Sequence, residues 1–117
     1  MNSRRIGSFY EDLAADYLMK QGYTILERNF TVKSGEIDII AREAGCLSFV
    51  EVKYRRRKGQ GSPLSAVTYA KQRKISRTAA LWMLRNRIPE DTPCRFDVIG
   101  IEPGEISLIR NAFDYTG

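Results

Sequence analysis

The chain contains no histidine among its 117 residues, and that absence removes several chemistries at once. Ser-His-Asp and Cys-His catalysis need an imidazole base, and histidine-metal nucleases and the usual zinc hydrolases need imidazole ligands. A metal held here would be held by oxygen, which favours magnesium or manganese. Cysteine is scarce too. Cys46 and Cys94 are too few and too far apart for a zinc ribbon or a disulfide framework. They read as small buried residues in a reducing compartment. No apolar run approaches the roughly 18–20 residues that span a bilayer. The basic start Met1-Asn2-Ser3-Arg4-Arg5 is followed by no apolar signal stretch. A cytoplasmic protein that does not engage a membrane is the expectation.

What is present fits one compact domain over residues 1–117. Hydrophobic residues make up 43% and charged residues 28%, a globular balance that allows a real core. The net charge of +5 favours a polyanionic partner such as nucleic acid.

Periodicity predicts a first helix over about Ser3 to Gln21, stopped by Gly22. Ile6, Tyr10, Leu13, Ala14, Tyr17 and Leu18 form its apolar face, with Asp16 and Lys20 opposite. Tyr23 to Asn29 and Phe30 to Lys33 read as extended, followed by a turn at Ser34-Gly35. Glu36 to Arg42 and Leu47 to Tyr54 read as two strands joined by a tight hairpin over Glu43 to Cys46. A second helix is expected to start at Ser62-Pro63, with Ser62 as N-cap, and to run to about Asn86. Arg95 to Ile101 and Ile106 to Arg110 form a second hairpin across Glu102 to Glu105. Helix, three strands, helix and two strands suit an α/β fold with a mixed sheet of about five strands flanked by helices.

Chemistry concentrates on the first hairpin. Glu51 and Lys53 share one face of their strand, roughly 6.5–7 Å apart. An even-numbered hairpin loop places Asp38 opposite Glu51 and Ile39 opposite Val50, whereas an odd loop mixes polar with apolar partners. The hydrophobic pattern therefore selects the even register. Two carboxylates side by side among Ile, Val and Phe repel each other, and burial sharpens the cost. A divalent cation, a proton or a nearby lysine would relieve it. A purely structural acid–lysine cluster at a strand end is the plainer alternative.

Glu11 falls on the edge of the first helix's apolar face, where it could reach a site on the sheet. Lys71 lies in the apolar stripe of the second helix with Leu64, Val67, Ile75, Thr78 and Trp82. It can snorkel outward, or reach a phosphate or an acid. Arg55, Arg56, Arg57 and Lys58 follow Lys53 by one residue, and Gly59 and Gly61 let their loop move. Mobile cations beside a candidate site suit phosphate contacts.

Gly35-Glu36-Ile37-Asp38, Phe49-Val50-Glu51-Val52-Lys53, Arg95-Phe96-Asp97-Val98 and Asn111-Ala112-Phe113 resemble the YraN-type family of uncharacterised bacterial proteins. Gly7, Glu11, Ala14 and Leu18 match that family's opening helix, so the resemblance covers nearly the whole chain. The family is in turn similar to the PD-(D/E)xK nucleases, particularly the Holliday junction resolvases, with a restriction-endonuclease-like fold. Ile37 stands where that superfamily often has proline. The similarity implies Asp38 and Glu51, with the Val52 carbonyl, as metal ligands and Lys53 as the catalytic lysine. Glu11 would complete the site, and Arg55, Arg56, Arg57, Lys58 and Lys71 would bind nucleic-acid phosphates. A Mg²⁺- or Mn²⁺-dependent DNA endonuclease, acting as a homodimer on branched or structured DNA, is the implied activity. A binding module of the same fold that cleaves nothing, and a protein-interaction domain with an acidic partner, are the other readings.

Overall fold

The computed structural model describes residues 3–59 and 61–116, with side chains described from residue 7. Helix α1 (Ser3–Lys20) ends where expected, because Gly22 takes a φ of 99° that residues with a side chain rarely adopt. Ile6, assigned by its spacing to the apolar face, lies outside the described side chains. Strands β1 (Thr24–Val32), β2 (Gly35–Glu43) and β3 (Cys46–Tyr54) follow as an antiparallel meander. Helix α2 (Tyr69–Arg85) then carries the chain across the sheet to β4 (Cys94–Glu102), which lies parallel to β3. A parallel neighbour needs such a crossover, whereas β4 and β5 (Glu105–Phe113) are joined by a two-residue turn. The result is a mixed five-stranded sheet in chain order with a helix on each face.

On one face, Ala14, Ala15 and Leu18 of α1 pack against Ile39, Ala41, Val50 and Ile99. On the other, Ile75, Ala79 and Trp82 of α2 pack against Ile40, Phe49, Phe96 and Val98. Each fully buried aliphatic or aromatic side chain contributes about 1.5–3 kcal/mol, so these two clusters hold the helices to the sheet.

The second helix corrects an expectation. Ser62 does cap, accepting from the Leu64 N–H at 3.2 Å, but what it starts is a 3-10 turn over Pro63–Ala66. Val67 breaks the run with a non-helical ψ of 87° and drops its side chain into the core. Thr68 then serves as a second N-cap, accepting from the Lys71 N–H at 3.2 Å, and α2 begins at Tyr69. The 3-10 turn is pinned from below. A Cβ at Gly100 would stand 2.1 Å from Pro63 Cγ, so only glycine lets the turn lie this close to β4.

Cys94 also departs from expectation. It opens β4 at a strand end and is exposed, while Cys46 is half-buried. Among the described residues, no helix is long and apolar enough to cross a membrane.

Candidate active site

The β2–β3 hairpin closes through the two-residue turn Ala44-Gly45, and its ladder pairs Ile39 with Val50. This is the even register that the hydrophobic pattern selects. One step further Asp38 would meet Glu51, but the ladder stops at Ile39. At that point the Val52 N–H donates to Asp38 Oδ2 at 2.7 Å. A side-chain oxygen thus takes the place of a backbone partner where the ladder ends.

The other side of β2 is irregular at the same place. The β1–β2 ladder pairs Arg28 with Ile39 and Phe30 with Ile37, passing over Asn29 and Asp38. Asn29 has a φ of 54°, the left-handed conformation that asparagine tolerates better than most residues. Ile37 packs in the α2-side cluster and Ile39, two residues on, in the α1-side cluster. Strict alternation would leave both on one face. The strand therefore turns over across Asp38, which carries its carboxylate toward α1.

There it meets two more acids. Glu11, Glu36 and Asp38 each offer a carboxylate oxygen, and these oxygens lie within 4.8 Å of one another. Glu11 is half-buried at the edge of the α1 face, as its helical position indicates. The Asn29 amide, oriented with its nitrogen toward the helix, donates to both Glu11 oxygens at 2.9 and 3.1 Å. Burial, then the charge of Glu51 and a hydrogen bond between the two carboxyls, push Asp38 up to about 8. Glu11 is raised as well, first by burial, although Arg28 opposes the shift. Arg28 is itself engaged with Asp12 at 2.8 Å.

Two lysines border this acid cluster. Lys53 Nζ lies 3.6 Å from Glu51 Oε1, an ion pair that is mostly shielded from solvent. Lys71 is exposed in the first turn of α2 and reaches Lys53. The neighbouring Lys53 holds the Lys71 ammonium below the usual lysine range. The Leu64 and Val67 that were expected to share its stripe belong to the preceding turn instead.

Arg56, Arg57 and Lys58 are exposed in the loop after β3. Lys58 folds back over Gly104 in the β4–β5 turn. Arg55 behaves differently, donating to the Gly61 and Ser62 carbonyls at 3.0 Å each and closing the loop on itself. Gln60 lies outside the described residues.

Sequence reasoning missed two members of the site, Glu36 and Asn29. Glu36 was legible, since it stands two residues before Asp38 on one strand. Asn29 gave no such signal, because only the left-handed turn of β1 aims it at Glu11.

Fold and site together define the class: a mixed α/β sheet whose central strands part around an acid–lysine cluster. The chain belongs to the uncharacterised protein family UPF0102, whose model matches residues 10–101. It is similar to a UPF0102 protein of Lachnoclostridium phytofermentans, 54% identical over 117 residues that cover 100% of this chain and 99% of the relative. A UPF0102 protein of Symbiobacterium thermophilum is 49% identical, covering 95% of this chain and 98% of its own. One of Trichlorobacter lovleyi is 50% identical, covering 96% and 92%. The resemblance to YraN-type proteins is thereby borne out at the level of family.

Proposed function

We propose that this chain is a Mg²⁺- or Mn²⁺-dependent endonuclease that hydrolyses phosphodiesters in branched or otherwise structured DNA. The observation that carries the reading is Asp38, fixed by the Val52 N–H at the parting of two central strands among Glu11, Glu36 and Glu51. An isolated fold gains nothing from gathering like charges around the half-buried Asp38 and Glu11, with the exposed Glu36 beside them. The donor set is all oxygen, which fits a hard divalent cation.

Asp38 and Glu51, with the Val52 carbonyl, would hold that ion, and Glu11 and Glu36 would complete or steady its surroundings. A bound divalent cation supplies Lewis acidity at a phosphoryl oxygen. Lys53, anchored by Glu51, positions an ammonium to orient the attacking water and to stabilise charge growing on the phosphate. Lys71 doubles that positive charge from the α2 side.

The charge distribution supports a polyanionic substrate. Residues 52–89 hold 11 of the 19 lysines and arginines and none of the 14 acids. They comprise the loop with Arg56, Arg57 and Lys58 and the exposed cations of α2, among them Arg73 and Arg77. Such a surface tracks phosphates without reading sequence. Symmetric cutting of a branched duplex would need two copies of the chain.

Incubation of end-labelled branched and linear DNA with Mg²⁺ or Mn²⁺ tests the reading. Asp38→Ala and Lys53→Ala should each reduce cleavage by about 100-fold or more. Equal cleavage by both variants and wild type would refute the site. The basic segment would also serve a non-cleaving binding module, and DNA binding without cleavage on every substrate would select that function instead.

A further inference from the structure

Beside the carboxylates lies a group of rings that hydrolysis itself does not use. Tyr10 stacks on Tyr54 with ring centroids 3.7 Å apart and planes at 16°. Phe9 meets Tyr10 edge-on at 5.1 Å. Tyr10 directly precedes Glu11, and Tyr54 directly follows Lys53. Tyr54 stands on the α1 face of β3, the face on which Asp38 meets Glu11, whereas Lys53 points to the α2 side. Beyond Tyr54 the basic loop begins, and Arg56 comes close enough to Tyr10 for its charge to act on the phenol.

Tyr10 is half-buried and packs against the α1-side cluster, which fixes it as a base for the stack, whereas Phe9 is 55% exposed and Tyr54 36%. Single exposed aromatics are ordinary on protein surfaces. Three rings in contact, bordered by cations, have the composition of a platform for single-stranded nucleic acid, with ring faces for bases and guanidinium groups for phosphates. A base inside a duplex already has both faces covered by its neighbours, so only an unpaired base can use such a platform.

Resting on the nucleic-acid reading above, we propose that Phe9, Tyr10 and Tyr54 dock an unpaired nucleobase. They thereby direct the adjacent site to DNA with a single-stranded or branched segment. The phosphates flanking that base lie against Arg56 and its neighbours.

Fluorescence anisotropy at low salt in EDTA separates this base contact from metal chemistry. The probes are a splayed duplex with a thymine arm, the same duplex with an abasic arm, and a fully paired duplex. Phe9→Leu/Tyr54→Leu should weaken binding of the thymine arm by about 5- to 150-fold, the range of base–aromatic stacking, and change the other two probes less than about twofold. Phe9→Leu alone, at a side chain already half in water, should show the same selectivity if the double variant unfolds early on heating. Tyr54→Phe should bind as wild type does. Equal losses on all three probes, or no loss on any, would overturn the platform. Base-dependent binding combined with absent cleavage would remove the nuclease reading and leave the platform standing. No binding of any probe by wild type would remove the platform and leave the nuclease reading to the cleavage assay.

Discussion

Two aspartates occupy the middle of the sheet, and their surroundings are opposite. Asp97 on β4 is fully buried, yet every side of its carboxylate is answered. Tyr23 Oη donates at 2.7 Å, Ser48 Oγ at 2.5 Å, the Asn111 N–H at 2.8 Å, and Arg95 Nε reaches both oxygens at 3.0 Å. Arg95 in turn contacts Glu43, which also pairs with Arg110 at 2.6 Å. Burial, then the bond to Asp97, push the Tyr23 phenol up to about 12, which keeps it a donor. Asp38 on β2 has the Val52 N–H and otherwise faces acids. A buried charge that is paired and hydrogen-bonded belongs to the fold; one surrounded by its own sign points outside it. The first centre is complete within the chain; the second gathers carboxylates that Lys53 and Lys71 only border, the arrangement that the proposed cation would neutralise.

The contrast breaks most visibly at Asp97. Asp97→Ala would leave Arg95 and Tyr23 facing an empty buried space and should cost about 3–5 kcal/mol in chemical denaturation. Asp38→Asn should move the other way, stabilising the metal-free protein by about 1 kcal/mol because it removes a buried carboxyl that must either take up a proton or repel Glu51. Tyr23→Phe removes one donor from the satisfied centre and should cost about 1 kcal/mol in the same measurement.

The smallest effect is a pH dependence at Glu43. Hydrogen bonding to Arg110, reinforced by Arg95, holds this carboxyl down at about 2, below its ordinary value. A depressed carboxyl contributes stability that is fully present above its unfolded-state pKa. That contribution is lost as pH falls from about 4.5 toward 2. Stability measured across this interval should fall less steeply in Glu43→Gln than in wild type. Parallel curves would show that the Glu43–arginine contacts do not persist in solution.

The fold and the centre of the site were legible for a physical reason. Alternating Ile, Val and Phe on two short strands admit one register, and that register delivers Asp38 beside Glu51. Glu11 was legible from helical geometry, because 100° per residue fixes which side chains border a packed face. The rest depended on contacts between distant segments. Tyr23 and Asp97 lie 74 residues apart, and no local pattern marks them as partners. Pro63 signals a helix start, but nothing local tells that the close approach to Gly100 confines it to a single 3-10 turn. The turnover of β2 at Asp38 also escapes alternation, since it violates the rule by which strands are read. That irregularity is what brings Glu11 and Glu36 to the same point as Asp38.

The claim that Asp38 stands in a centre completed by a cation is tested most directly by thermal unfolding with increasing Mn²⁺ or Mg²⁺. A saturable rise in Tm of about 5 °C or more is expected for wild type, from the preferential binding of the ion to the folded state. Asp38→Asn should show almost none of it. A wild-type Tm indifferent to both ions, or an equal rise in Asp38→Asn, would contradict the account.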